Sequence, residues 1–360
     1  MAFFKKLFNK GSEPKSPRGF NTLTISKITR LSDDTVMVTL DIPEALKAQY
    51  NFIPGQYLDF AITIDGKEQR RSYSICSGKD EELSVAIKKV DKGIVSTWFN
   101  EVAKAEAPIF ASAPQGSFTL PKDIKRVVSF AAGSGITPIV SIAKDIEPSE
   151  AKLNLFFGNR TESSILFKSD LDGLKNTSVS YFLSGESKDG FENGRLDNDN
   201  ISSIIKGNLD LLKSDYFLLC GPEEMIVSAI DTLKVFGVAE DKIKYELFTA
   251  PVKMQVKASD TSGSFSGISQ VSIILDDETD SFELKSDGMS ILEKSNREGL
   301  DAPYSCKGGV CSTCKAKVIK GKASMKMNYS LTDKEVEEGF ILTCQAHPDS
   351  EEVVISFDDV

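Results

Sequence analysis

The sequence predicts a multidomain chain in which an antiparallel β-barrel is followed by a parallel α/β sheet and then by a small α+β module. Three observations predict it. Short alternating runs fill the region from about Phe20 to Leu120, and buried apolar strands alternate with helical stretches from near Lys125 onward. A polar Ser/Gly-rich stretch, Lys257–Gly267, then separates these from a last segment of about 90 residues holding four of the six cysteines. At 360 residues the chain is too long for one ordinary domain, and it has no internal repeat. The expected boundaries are a leader over 1–19, the barrel over 20–122, the α/β domain over 123–250, a linker over 251–268 and the last module over 269–360.

A content of 40% hydrophobic and 27% charged residues describes a soluble globular protein. No apolar run approaches the ~20 residues that span a bilayer, so no stable membrane association is expected. The start, MAFFKKLFNKGSEPKSPRG, lacks the apolar core of a signal peptide and reads as a mobile leader; its FFKKLF end is a minor candidate for touching a membrane or a partner. Six cysteines without an export signal point to a reducing, cytoplasmic setting. The net charge of −10 is concentrated from Ser269 onward, with 18 acidic against 10 basic residues. Such an acidic module argues against nucleic-acid binding and suits electrostatic docking to a protein.

In the first domain TVMVTLDI, YLDFAITI and LSVAIKKV read as strands between Pro-Gly, Asp-Gly and Gly-Lys turns. The strand RRSYSICS, Arg70–Ser77, has residues suited to a flavin. Arg71 can pair a phosphate bidentately, Tyr73 can stack on a flat ring, and Ser74 can hydrogen-bond a ring nitrogen. Strand alternation expects Arg71 and Tyr73 on one face and Ser74 on the other. Gly93 and Ser96, in KGIVSTWF, would start a helix whose N–H groups face a pyrophosphate. The bland alternative is an ordinary strand with polar edges.

In the second domain RVVSFAAG is a buried strand that runs through a Gly-rich turn into the helical ITPIVSIAKDI. KLNLFFG, VSYFLS and DYFLLCG are further buried strands. The turn gives Gly133-x-Gly135-x-x-Pro138, not GxGxxG, but its mechanics are similar: close backbone approach and a helix start facing phosphate. Pro138 suits a first helical turn. Cys220-Gly221-Pro222 ends another buried strand, where open α/β sheets bind ligands. Cys220 also reads as a buried small hydrophobe, and Cys76 reads only so.

Cys306, Cys311 and Cys314 in CKGGVCSTC, with Cys344 after 29 intervening residues, give the C-x4-C-x2-C…C spacing of a plant-type [2Fe–2S] cluster. Gly308 and Gly309 let the loop wrap so that N–H groups face the sulfurs. A structural zinc site is the alternative, but it usually needs two short Cys/His pairs, and only one is present. His347 is expected on the surface.

Flavin, nucleotide and cysteine motifs in this order resemble the ferredoxin–NADP reductase superfamily. The C-terminal module makes the chain similar to one-component reductases of bacterial oxygenases, with a β-grasp ferredoxin-like domain. RRSYSICS, APQGSF, AAGSGITP, FFGNRTESSILF, CKGGVCSTCKAKVIKG and MNYSLTDKEVEEGFILTCQA extend the resemblance to the reductase subunits of phenylacetyl-CoA epoxidases, over Phe20–Asp358. The resemblance implies FAD on Arg71, Tyr73 and Ser74, with Ser74 near N5 and Gly93 and Ser96 on the pyrophosphate. It implies Gly133, Gly135, Thr137 and Pro138 around the nicotinamide nucleotide, and Cys220, followed by Gly221 and Pro222, near the nicotinamide. Glu246 and Phe248, in YELF, would close the flavin pocket, making Ser74, Cys220 and Glu246 the implied catalytic set. Arg160 and, more weakly, Arg195 are candidates for a 2′-phosphate, hence for NADPH, with NADH as the alternative. Electrons would leave to an oxygenase component, implied to be a di-iron enzyme acting on an aromatic acyl-CoA. Another hydroxylase or a desaturase is the alternative acceptor; a non-catalytic adaptor with a zinc-held module is the alternative of another class. Lys307, Lys315, Lys317, Lys320, Lys322 and Lys326 are expected to contribute to a rim that docks an acidic partner.

Overall fold

The computed structural model describes residues 16–252, 254 and 265–360. The first fifteen residues of the leader and most of the Lys257–Gly267 linker lie outside the described residues. Three sheets organise the rest, in the fold class expected.

The first has six strands: β1 (Phe20–Ser32), β2 (Thr35–Asp41), β3 (Tyr57–Ile64), β4 (Lys67–Ser74), β5 (Ser84–Lys88) and β6 (Pro108–Ser112), with helix α1 (Ile94–Glu101) between the last two. Their order is β4-β3-β6-β1-β2-β5, all antiparallel, and a bridge between Ile75 and Val85 closes the sheet into a barrel. Closure leaves no free edge where β4 meets β5. Alternate residues fill the interior, where Phe60, Tyr73 and Phe99 pack as tilted and edge-on rings.

The second sheet holds β7 (Arg126–Ala132), β8 (Lys152–Asn159), β9 (Thr177–Leu183), β10 (Glu192–Asn193), β11 (Tyr216–Cys220) and β12 (Ile243–Glu246). Helices α2 (Ile136–Ile146), α3 (Lys168–Asp172), α4 (Asn198–Gly207) and α5 (Glu223–Val235) cover it. The strands are parallel in the order β10-β9-β8-β7-β11-β12. The chain leaves β7 toward one edge and later returns to β11 on its other side, so the topological switch point lies between β7 and β11. Ser141 Oγ donates to the Ser77 carbonyl (2.7 Å), Lys144 pairs with Glu81 (2.7 Å) and Lys244 Nζ donates to the Thr119 carbonyl (2.9 Å), tying this domain to the barrel.

The third sheet combines β13 (Ile268–Leu275), β14 (Glu278–Lys285), β15 (Lys315–Lys320), β17 (Phe340–Leu342) and β19 (Glu352–Ser356) in the order β14-β13-β19-β15-β17. Only β13 and β19 are parallel. Helix α6 (Ile291–Arg297) contributes Ile291 and Leu292 to the core, and α7 (Asp333–Glu337) opens on a capping box at Thr332 and Glu335. A small side ladder pairs β16 (Ala323–Met325) with β18 (Ala346–Pro348). That ladder corrects the expectation for His347. It lies opposite Ser324 in the ladder, only 6% exposed, and burial holds its imidazole below the usual pKa.

Among the described residues no helix is long and apolar enough to cross a membrane.

Candidate functional site

The β3–β4 hairpin, the end of β12 and the cysteine loop converge on one cavity of about 280 Å³. Its lining includes Arg71, Ser72 and Ser74 from the barrel, Glu246 at the end of β12 and Phe248 just after it, and Cys306 and Cys311 from the third domain. The volume admits a flat ring system but not a whole dinucleotide. Ser74 Oγ donates to Glu246 Oε2 at 3.0 Å across 172 residues of sequence. Glu246 lies beside Cys220 in the parallel ladder, so Ser74, Glu246 and Cys220 form a row across three strands. Burial pushes the Glu246 carboxyl up to about 7, only partly opposed by the Ser74 hydroxyl. Burial, then the Glu246 charge, holds the Cys220 thiol well above its ordinary range. Cys76 lies in the core beneath, its thiol pushed up to about 12 by burial.

The remaining flavin candidates are distributed differently from a single lining. Tyr73 packs on Phe60 and Phe99 and does not line this cavity, whereas Ser72 does. Ser96 is buried, its Oγ accepting from the Val90 N–H and donating to the Gly93 carbonyl, both at 3.2 Å. Its hydroxyl thus builds the start of α1, and the first N–H groups after Gly93 are what that helix offers an anion.

At the switch point the two glycine motifs face each other. A Cβ on Gly135 would stand 2.1 Å from the Cys220 carbonyl oxygen, and a Cβ on Gly221 would stand 3.1 Å from the Ala132 nitrogen. Gly133 has φ +55 and open space on its Cβ side. Thr137 is buried and its hydroxyl donates to the Ser134 carbonyl (3.0 Å), so it shapes the loop. Pro138 lies in the first turn of α2, and Pro222 caps α5. Arg160 and Arg195 are exposed near the C-terminal ends of the strands. Beside Arg160, the Asn159 Nδ2 is buried without a hydrogen-bond partner among the described residues, a donor that suits a polar ligand in the crevice.

The four clustered cysteines form two pairs. Cys306 and Cys311 have their sulfurs 3.0 Å apart, and the Cys314 and Cys344 thiols are in hydrogen-bond contact. Among the described residues no three Cys, His, Asp or Glu side chains converge as a single metal ion would require. Two thiolate pairs fit two irons and not one tetrahedral zinc. N–H groups already face the sulfurs: Gly308 donates to Cys306 (3.3 Å), and Cys306 to Cys311 (3.5 Å). Thr313 Oγ1 also lies 3.4 Å from the Cys311 sulfur, with its proton donated to Asp59 Oδ2 at 2.7 Å. Positive φ at Lys307 (55°) and Gly309 (73°) bends the loop into this shape.

Lys307 stacks over Tyr304, Lys315 and Lys317 lie over Phe340, and Lys320 pairs with Glu352 at the outer end of β15. Sequence reasoning missed Tyr57, Asp59, Arg70 and Ser72, which meet the cysteine-bearing domain directly. The available signal was an Asp inside the apolar strand YLDFAITI.

The raised Glu246 pKa carries a prediction. A carboxyl with a pKa of about 7 in the fold, against its ordinary 4.5, binds protons more tightly folded than unfolded. Stability is therefore lost as pH rises from about 4.5 through about 7. The full cost is at most about 3 kcal/mol, and solvent in the open cavity reduces it to about 1–2 kcal/mol. Glu246→Gln is expected to raise Tm relative to wild type at pH 8 and to leave it nearly unchanged at pH 4; an equal difference at both would contradict the assignment.

Three protein families match in chain order. Residues 22–120 match the oxidoreductase FAD-binding domain, 130–230 the oxidoreductase NAD-binding domain, and 273–349 the 2Fe-2S iron-sulfur cluster binding domain. The chain is 35% identical over 355 residues to a subunit of 1,2-phenylacetyl-CoA epoxidase from Escherichia coli K12, covering 94% of this chain and 98% of that one. It is 27% identical over 349 residues to the ferredoxin reductase component of 3-ketosteroid-9-alpha-monooxygenase from Rhodococcus rhodochrous, covering 93% and 96%. Phthalate dioxygenase reductase shares the fold, with a TM-score of 0.57 and 22% identity over 94% of this chain and 98% of that one. The chain is an NAD(P)H-dependent oxidoreductase with FAD, nucleotide and [2Fe–2S] domains, and it belongs to the family of oxygenase reductases that includes this 1,2-phenylacetyl-CoA epoxidase component.

Proposed function

We propose that this chain carries electrons from NADPH to the di-iron oxygenase component of a phenylacetyl-CoA epoxidase, in the cytoplasm. The observation that carries the electron path is the cavity lined jointly by Ser74, Glu246, Cys306 and Cys311. The identity to the Escherichia coli epoxidase component over nearly the whole of both chains supports this acceptor over another hydroxylase or a desaturase. The domain limits in this reading are 20–122, 123–250 and 269–360.

Arg71, Ser74 and Phe248 would hold FAD, with Tyr73 backing the site and the N–H groups after Gly93 on the pyrophosphate. Ser96 would act by shaping that turn. Gly133, Gly135, Pro138, Gly221 and Pro222 would line the nucleotide, Thr137 bracing their loop, and Arg160 and Arg195 would take the 2′-phosphate. Cys306, Cys311, Cys314 and Cys344 would ligate the cluster. Bound there, FAD would supply the change from the two-electron chemistry of nicotinamide to the one-electron chemistry of an iron–sulfur cluster. Ser74 Oγ donates its proton to Glu246 Oε2 at 3.0 Å, and the carboxyl, with a pKa of about 7, can itself bind or release a proton at neutral pH. The buried Cys220 thiol stays protonated and adds no charge beside them.

Reconstitution tests the acceptor. NADPH, this protein and a purified phenylacetyl-CoA epoxidase oxygenase component are expected to give epoxidation; turnover only with the oxygenase of a different system would assign the chain there. Anaerobic mixing tests the nucleotide. Flavin reduction is expected to be faster with NADPH, and Arg160→Ala to cut that preference by about tenfold. Faster reduction by NADH in the wild type would overturn it.

A further inference from the structure

Strand β4 touches both other domains with successive residues of one face. Tyr57, Asp59 and Ala61 on β3 lie opposite Ser74, Ser72 and Arg70 on β4, so these alternate residues point the same way. Ser74 reaches Glu246 of the nucleotide domain. Ser72 Oγ lies 2.9 Å from Ser305 Oγ, and Arg70 Nη2 donates to Asp301 Oδ1 at 3.0 Å, both in the cysteine-bearing domain.

Two of the residues in this region have no part in the cofactor reading. Asp59 is fully buried and accepts from Ser72 Oγ (2.5 Å) and Thr313 Oγ1 (2.7 Å). Arg70, with a side chain only 3% exposed, is ion-paired to Glu68 (2.7 Å) as well as Asp301. Its guanidinium lies over the rings of Tyr304 (4.4 Å) and Phe20 (5.1 Å). Both charges sit where the cysteine domain meets the barrel, on the strand pair that also carries Tyr57, whose Oη accepts from the Ser312 N–H at 3.2 Å.

We propose that Arg70 and Asp59 are positioning residues for the intramolecular electron step, holding the cysteine domain so that Cys306 and Cys311 face the cavity lined by Arg71, Ser74 and Glu246. This rests on the reading that flavin and cluster occupy those sites. A planar guanidinium between two rings and two carboxylates has one good geometry, and so does a carboxylate shared by Ser72 and Thr313. Apolar contact alone would let the surfaces slide. The same groups are well solvated when separated, so the contact sets register while adding little net affinity. That balance suits a domain that must accept electrons from the barrel and also present them to a separate protein.

The test uses holoenzyme with full flavin and cluster content. Arg70→Ala and Asp59→Ala are expected to leave flavin reduction by NADPH within about twofold of wild type. They should slow flavin-to-cluster transfer by about tenfold or more in anaerobic stopped-flow. Hydrogen exchange at the Ser312 amide should rise in parallel, and Arg70→Lys should recover part of both. Asp301→Ala acts from a half-exposed side chain (46%) outside the barrel, and reports the same step should the barrel variants not fold. Transfer within about twofold of wild type in Asp301→Ala would overturn the proposal, and so would slow transfer with unchanged Ser312 exchange. A wild-type protein whose flavin is reduced while its cluster stays oxidised would instead overturn the cofactor reading beneath it.

Discussion

Cys311→Ser is expected to abolish electron delivery to any one-electron acceptor that draws on the cluster, by about 100-fold or more, while flavin reduction by NADPH survives. The side chain is buried with its sulfur 3.0 Å from that of Cys306, and it receives the Cys306 N–H. A serine oxygen is smaller and harder than a thiolate and leaves the Cys306 N–H aimed at a poor ligand. Cluster binding is also folding energy for a domain this small, so the variant should lose a transition belonging to residues 269–360 and keep the one belonging to the barrel and nucleotide domain. The visible spectrum separates the two cofactors. Retained iron–sulfur absorption at full intensity in the variant would remove Cys311 from the ligand set.

Gly135→Ala should be nearly as damaging, through packing alone. The new methyl would stand 2.1 Å from the Cys220 carbonyl oxygen, 2.4 Å from its carbon and 2.7 Å from the Gly221 nitrogen. All three are backbone atoms at the end of β11, so no side chain can swing aside. Forcing the loops apart costs about 3 kcal/mol and displaces one wall of the switch-point crevice. Flavin reduction by NADPH is expected to fall by about 100-fold, with FAD content and the cluster spectrum retained. Gly133→Ala is the control. Nothing lies within 4 Å of its added methyl, and only its φ of +55 is disfavoured, a cost of about 1 kcal/mol. Equal kinetics for the two variants would refute the packing argument.

Much of the fold is written locally. Alternation in TVMVTLDI and YLDFAITI sets strands β2 and β3, and continuous apolar runs in RVVSFAA and YFLLC set β7 and β11. The Gly-x-Gly-x-x-Pro turn and the C-x4-C-x2-C loop depend on residues a few positions apart, whose backbone freedom and ligand spacing are properties of the chain itself. Hence the fold class, the order of domains and the motifs were legible without coordinates.

Other features depend on which surfaces meet. Ser74 and Glu246 are 172 residues apart, and only the docking of the parallel sheet on the barrel makes them partners. His347 has the composition of a surface residue and is buried because β18 pairs with β16. Asp59 and Arg70 read as an odd acid in an apolar strand and a neighbour of the flavin arginine until the cysteine domain lies against them. The elements and the chemistry each motif can hold thus follow from the chain alone, because periodicity, turn preference and ligand spacing act over a few residues. Which polar groups share a cavity, and which bear the contact between domains, follows only from the packing of the three sheets. That outcome balances desolvation of a group against the partners it finds, and for Ser74 and Tyr57 those partners lie 172 and 255 residues away.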